Sequence, residues 1–286
     1  FFDPIETLGH WFAEMQMAQA SAERILSLID AQPLIRDSAS VSEAIDRKSA
    51  GGPPGAKWAE DGGLANIDLI ELKDVSFAYD LGKPVLQSVN LLAKRGETIA
   101  IVGPTGGGKS TLVNLICRFY EPSAGQVLID GVDYKSRSLT WLQSNVGIVL
   151  QSAHIFTGSI LENIRYGRLE ASDEEVFEAS RVAGAHYFIS AMPEGYLSEA
   201  GESGNFLSAG QKQLISFARA ILSDPQVLVM DEATSSVDTE TEKSIQQGIQ
   251  KILEGRIAFI IAHRLSTIRN ATRIVVIEKG QIREEG

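Results

Sequence analysis

The stretch Gly103-Pro104-Thr105-Gly106-Gly107-Gly108-Lys109-Ser110-Thr111 constrains this chain more than any other, because of what stands on either side of it. The apolar run Thr98-Ile99-Ala100-Ile101-Val102 precedes it, and Leu112-Val113-Asn114-Leu115-Ile116 follows with a helical look. A strand therefore feeds a glycine-rich loop that opens a helix. Glycines tolerate positive φ and close backbone approach, so such a loop can turn its N–H groups inward on a polyphosphate while the helix N-terminus adds partial positive charge. In that reading Lys109 reaches the β- and γ-phosphates and the Ser110 hydroxyl completes a Mg2+ shell.

Composition sets the outer bounds. The chain has 286 residues, room for one large domain or two smaller ones, and its 44% apolar and 22% charged content is that of an ordinary globular protein. Acidic residues outnumber basic ones 37 to 26, and the formal charge of -11 opposes attraction to nucleic acid or anionic lipid, so no nucleic-acid partner is expected. The single cysteine, Cys117, cannot form an internal disulfide and fits a reducing compartment, as a small core residue behind the glycine loop. No run approaches the roughly 18 apolar residues of a membrane span, and nothing resembles a signal peptide, so the piece taken alone reads as soluble. Phe1 is not an initiator methionine and Gln281 to Gly286 break off within a strand or turn, so the sequence reads as a segment of a longer chain.

Taken in order, residues 5–29 carry Ile5, Leu8, Phe12, Met15, Ala18, Ala22, Ile25, Leu26 and Ile29 at spacings of an amphipathic helix that ends near Pro33. Periodicity alone leaves two readings open, a packed terminal helix or one connecting to a preceding region. Residues 38–66 are poor in large apolar side chains and contain Ala50-Gly51-Gly52-Pro53-Pro54-Gly55, which predicts an extended or mobile linker and a domain boundary near residue 66. Ile67 to Tyr79 and Pro84 to Lys94 read as strands, the second antiparallel to the first, followed by strands over 125–131 and 146–150. Residues 159–191 read mainly as helices, with Ser172-Asp173-Glu174-Glu175 a capping start. A helix over 208–222, a strand over 226–230, a helix over 238–253, a strand over 257–262 and a hairpin over 274–282 complete the pattern. Alternation of strand and helix from the glycine loop onward predicts an α/β protein with a parallel sheet flanked by helices and ligands at the strand C-terminal ends.

Two further motifs carry chemistry. Val227-Leu228-Val229-Met230-Asp231-Glu232 is an apolar strand ending in two carboxylates; Asp231 would hold Mg2+, and Glu232 would orient or deprotonate an attacking water. Leu207-Ser208-Ala209-Gly210-Gln211 precedes a helix whose free N–H groups and serine hydroxyl form an anion-binding start. Spacing alone allows an ordinary N-capped helix equally; the sharper reading is that it serves a nucleotide held by another subunit. His10, His154 and His186 lack metal-ligand spacing and read as surface or packed residues, whereas His263 follows a strand end as a catalytic residue would.

Gly103 to Thr111, Gln151 after a buried strand, Leu207 to Gln211, Asp231-Glu232 and His263, in that order, resemble the nucleotide-binding domain of an ATP-binding cassette transporter over about residues 67–286. The resemblance implies a phosphate-loop NTPase core with an antiparallel β subdomain and a helical signature subdomain over about 152–222. It implies ATP and Mg2+ as ligands, with Gln151 linking the ion to the membrane part, His263 contacting the γ-phosphate, Asp238 of Ser235-Ser236-Val237-Asp238 crossing a dimer interface, and Tyr79 stacking on adenine. Phe156-Thr157-Gly158-Ser159-Ile160 and Glu162-Asn163-Ile164 resemble the coupling region of exporters, and Pro4 to Asp30 the end of a half-transporter's last transmembrane helix. The implied partners are a second cassette domain, identical or related, and a transmembrane domain, on the cytoplasmic face of the plasma membrane. In such a head-to-tail dimer Ser208, Gly210 and Gln211 cover the ATP of the opposite copy. Two departures stand out: Ala209 where the signature usually has glycine, tolerable at negative φ, and Ser203 where exporters often carry arginine. A nucleotide-gated clamp with little turnover is the alternative from another class, argued against by Glu232, His263 and the acidic charge; an importer-type cassette is weaker still, given the helix over 5–29.

Overall fold

The computed structural model describes residues 3–48, 66–80, 82–150, 153–231, 248–262 and 265–286. Phe1–Arg36 and Asp37–Gly286 form two compact units. The first consists of one helix, α1 (Asp3–Ile29), which leaves Leu8, Trp11, Phe12, Met15, Met17, Ile25, Leu26, Leu28 and Ile29 exposed. Among the described residues no helix is long and apolar enough to cross a membrane.

The second unit begins with a departure from expectation. Within the stretch read as an extended linker lies a helix, α2 (Ala39–Lys48), whose Val41 is buried. A stretch so rich in serine and charged residues offers a sequence reader little apolar periodicity. Strands β1 (Leu69–Ala78) and β2 (Pro84–Lys94) pair antiparallel. Ile70, Leu72, Val75 and Phe77 point into the core, and the break in their alternation is a bulge at Asp74, whose φ is 49°.

Strand β3 (Thr98–Val102) leads through the glycine loop into α3 (Lys109–Ile116). Strands β4 (Ala124–Ile129) and β5 (Val132–Asp133) then return to the antiparallel sheet, whose order is β2-β1-β4-β5. The short strand expected over 125–131 pairs antiparallel with β1, so it belongs to this sheet and not to the parallel one.

Helix α4 (Leu139–Asn145) precedes β6 (Val146–Val149). Helices α5 (Ile160–Arg165), α6 (Asp173–Ala183), α7 (His186–Ser190) and α8 (Ala209–Ser223) follow, then β7 (Val227–Asp231), β8 (Ile257–Ile261), β9 (Arg273–Glu278) and β10 (Gln281–Glu285). The second sheet runs β10-β9-β3-β8-β7-β6, parallel from β9 to β6, with β10 antiparallel at its edge. Ile99, Ile101, Val227, Ile257 and Phe259 are solvent-free between this sheet and the antiparallel one, each contributing about 1.5–3 kcal/mol on burial. A second core joins α5, α6 and α8 through Ile160, Ile164, Val176, Leu214 and Phe217. Every parallel strand ends on one edge of the sheet, and the glycine loop is built there.

Candidate nucleotide-binding site

The loop is shaped by what lies behind it. Gly103 leaves β3 at a φ of 145°, and a Cβ there would lie 2.0 Å from the carbonyl oxygen of Ile277 in β9. Only glycine permits this approach. Gly107 N–H donates to the Pro104 carbonyl (3.0 Å) and Gly280 N–H, in the β9–β10 turn, donates to the Gly107 carbonyl (3.0 Å), which fixes the loop at two points. Gly108, at a φ of 109°, stands at the N-cap of α3 without any side-chain cap. The N–H groups of the first helical turn thus have no intrahelical partner, and their partial charge faces the loop interior.

Lys109 occupies that interior. It is 8% exposed, and its Nζ donates to the carbonyls of Gly103 (2.9 Å) and Pro104 (3.0 Å). Among the described residues no carboxylate pairs with it. A buried ammonium held by two neutral carbonyls retains attraction for an anion, so the cradle fits a triphosphate. Ser110 is exposed on the first turn, whereas Thr111 is buried with its Oγ1 3.2 Å from the Tyr79 hydroxyl. Asp231 ends β7 on the same sheet edge, with β8 between it and β3, a separation of about 10 Å. Phosphate groups and a hydrated ion fill such a gap, and the hydroxyl and carboxylate oxygens supplied from either side are the hard donors Mg2+ takes.

Tyr79 lies just beyond β1, half-exposed, against Phe77 (centroids 4.8 Å apart, 87°) and Tyr120 (4.9 Å, 89°). The structure brings Tyr79, the loop from Gly103 to Thr111 and Asp231 to one side of the parallel sheet. Gln151, Glu232, His263 and Asp238 lie outside the described residues.

The second phosphate-seeking helix start is internally complete. Ser208 Oγ accepts from Gln211 N–H (3.2 Å) and Gln211 Oε1 accepts from Ser208 N–H (2.9 Å), a reciprocal capping box on α8. Ser208 and Ala209 face solvent, and Ala209 sits in the helix, free of the positive φ that would strain it. Ser203 holds a left-handed φ of 52°, with its carbonyl bonded to Lys212 Nζ (3.0 Å). The segment over 156–164 is tied by Asn163, which accepts from Phe156 N–H (2.8 Å) and donates to the Phe156 carbonyl (2.9 Å), and by Arg219, which donates to the carbonyls of Asn163 and His154. His154 stacks edge-on against Phe156, His186 bonds the Tyr196 hydroxyl (2.8 Å), and His10 pairs with Glu14 (3.5 Å); among the described residues no group resembles a metal site. Burial pushes the Cys117 thiol up to about 12, which leaves it neutral and inert.

Sequence reasoning missed Arg118, which follows α3 in a left-handed conformation with its side chain fully buried. Its Nε donates to Glu121 (3.0 Å), its Nη1 to the carbonyls of Tyr134 and Arg137 (both 3.0 Å), and Asp37 lies 4.0 Å away. A lone arginine after a helix gives no periodic signal. Its role shows only when Glu121, Asp37 and the Tyr134–Arg137 stretch converge on it.

A strand, a glycine cradle and a buried lysine at the C-terminal edge of a parallel sheet define a phosphate-loop nucleotide-binding protein. The model of the ABC transporter family matches residues 86–235, and the chain belongs to that family. It is 46% identical over 286 residues to YknV of Bacillus subtilis (strain 168), described as an ABC transporter ATP-binding protein, covering 100% of this chain and 44% of that one. It is 44% identical over 285 residues to an ATP-dependent lipid A-core flippase of Syntrophus aciditrophicus, covering 100% of this chain and 44% of the flippase. A solved structure of a bacterial Atm1-family ABC exporter with ATP bound is similar at a TM-score of 0.79 and 34% identity, over 100% of this chain and 46% of that chain. The chain therefore spans less than half the length of these relatives.

Proposed function

We propose that this chain is the cassette in which an exporter binds and hydrolyses ATP, working as a head-to-tail pair with a second cassette, identical or related. The observation that carries the reading is the buried Lys109 ammonium, held by two carbonyls in a glycine cradle at an uncapped helix start. The cradle's N–H groups and Lys109 bind the β- and γ-phosphates and neutralise charge as it shifts toward the leaving oxygen. Ser110, Asp231 and Gln151 would hold Mg2+, which supplies further neutralisation of the phosphate oxygens.

Glu232, one residue past the end of β7, accepts a proton from water as its oxygen bonds to the γ-phosphorus. The bond to the β-bridging oxygen breaks, leaving ADP and phosphate. His263, one residue beyond Ala262 at the end of the neighbouring strand, contacts the γ-phosphate, and Tyr79 stacks on the adenine. Ser208, Gly210 and Gln211 of the opposite copy cover the phosphates, and Asp238 lies across the same interface. Loss of the γ-phosphate removes what bridges the halves, so nucleotide turnover becomes opening and closing.

The exposed apolar residues of α1 support its reading as the connection to a transmembrane domain, since Trp11, Phe12 and Met15 form an unusually apolar surface for a helix in water. The exporters among its relatives support a place on the cytoplasmic face of the plasma membrane. The test is phosphate release by the intact protein with Glu232→Gln. A fall of about a hundredfold or more with ATP binding retained is expected for a general base. Equal turnover in both proteins removes Glu232 from that role.

A further inference from the structure

The base-stacking residue sits in an arrangement that sequence spacing does not reveal. Tyr79 is 48% exposed; its hydroxyl meets Thr111 Oγ1 at 3.2 Å, which anchors the tip of the ring and leaves the tilt of its face to the rings beside it. Two rings stand perpendicular to it. Phe77 belongs to the core at 6% exposure, whereas Tyr120 is itself 40% exposed and comes from the segment after α3.

Tyr120 also leans on Phe77 (centroids 5.5 Å apart, 59°), and its backbone is fixed from several directions. The buried Tyr134 hydroxyl donates to the Tyr120 carbonyl (3.3 Å), and burial keeps that phenol protonated by raising its pKa. The Arg118–Glu121 bond brackets Tyr120 on both sides, and Phe119 N–H donates to Asn114 of α3 (2.9 Å). A half-exposed aromatic is thus held on a rigid backbone and aimed at the ring of Tyr79. The ring touches the core at Phe77 and stands edge-on to Tyr79, a geometry that can set the orientation of the second ring.

We propose that Tyr120 is a positioning residue for the purine of the bound nucleotide, holding the Tyr79 ring at the angle at which it stacks on the base. The inference rests on the reading of Tyr79 as the base-stacking residue. Edge-to-face pairing fixes ring orientation, so its loss weakens base stacking and leaves the phosphate contacts of Lys109 and the glycine loop intact.

The test measures KM and kcat for ATP hydrolysis by the intact protein, and inhibition by inorganic tripolyphosphate, which has the phosphates and no base. Tyr120→Ala should raise the KM for ATP about threefold to tenfold, with kcat and tripolyphosphate inhibition within twofold of the parent. Tyr120→Phe, which keeps the ring, should restore KM. Tyr79→Ala should raise KM further. If Tyr79→Ala raises KM while Tyr120→Ala leaves it unchanged, the positioning role is wrong and the stacking role of Tyr79 stands. If Tyr79→Ala leaves KM unchanged, the stacking reading fails and takes the inference with it. A parallel loss of tripolyphosphate inhibition in Tyr120→Ala, or no recovery in Tyr120→Phe, means the substitution damages the loop generally and overturns the proposal.

Discussion

Two helices in this molecule begin where a phosphate would fit, and they begin in opposite ways. At α3 the N-cap is glycine, no side chain closes the first turn, and the buried ammonium of Lys109 rests on two carbonyls. At α8 Ser208 and Gln211 satisfy one another, so the helix start is finished within its own chain. The first start leaves its N–H groups without an intrahelical partner; the second closes on its own side chains. A helix start left open can take the oxygens of a ligand, while one closed by its own side chains is stable alone in water.

The two other capping boxes sharpen the contrast. Helix α5 begins with Ser159 and Glu162, and α6 with Ser172 and Glu175. The Ser159 N–H bond holds Glu162 below the usual carboxylate range, and the Ser172 N–H bond does the same for Glu175. Both boxes carry a charge, whereas the box of α8 is neutral because Gln211 replaces the glutamate. A carboxylate there would repel an arriving triphosphate, and an amide caps the helix without doing so.

The largest effect that could break this comparison is at Lys109. Lys109→Ala should lower kcat/KM for ATP by at least about a hundredfold, the loss expected when a preorganised charge contact is removed from a developing anion. Steady-state phosphate release and nucleotide-binding titration would both show it. Next in size is Gln211→Glu, expected to cut ATPase activity about tenfold through like-charge repulsion while leaving the thermal midpoint equal or higher, since an acid suits a helix N-terminus. Unchanged activity in that variant would mean that no phosphate approaches α8.

The smallest effect concerns pH. Glu162 and Glu175 titrate below their ordinary 4.5 in the folded chain, so their stabilisation is full above that value and is lost progressively as pH falls below it and through the lowered folded values. Replacing both with glutamine, which makes α5 and α6 resemble α8, should flatten the fall in thermal midpoint on acidification. Circular dichroism melts between about pH 6 and pH 3 would measure it.

The strand before the glycine loop, the helix after it and the helix starts at Ser172 and Ser208 were legible because local pattern dictates them, whereas the reciprocal Gln211 bond at Ser208 was not foreseen. Helix α2 was not, because Val41 is buried there amid polar neighbours such as Ser40, Ser42 and Glu43, which leaves no long apolar stripe to read. The sheet membership of β4 was equally hidden, since pairing with β1 is a long-range choice that a run such as Gln126-Val127-Leu128-Ile129 leaves undecided. Within the site, the loop and Asp231 came from motif spacing, but the Tyr79–Tyr120 contact arises from segments joined through Arg118 and Tyr134, neither of which belongs to a periodic pattern.

The back wall of the glycine loop has a consequence for how the protein is made. Gly103 presses on Ile277, Gly107 is held by Gly280, and Thr98 N–H bonds Thr272 across 174 positions of chain. A ribosome delivering this polypeptide releases the cradle long before the hairpin that props it open, so a nascent chain halted near α8 would bind nucleotide poorly. ATP added during translation would then act as a late clamp, tightening the molecule only once β9 and β10 have emerged.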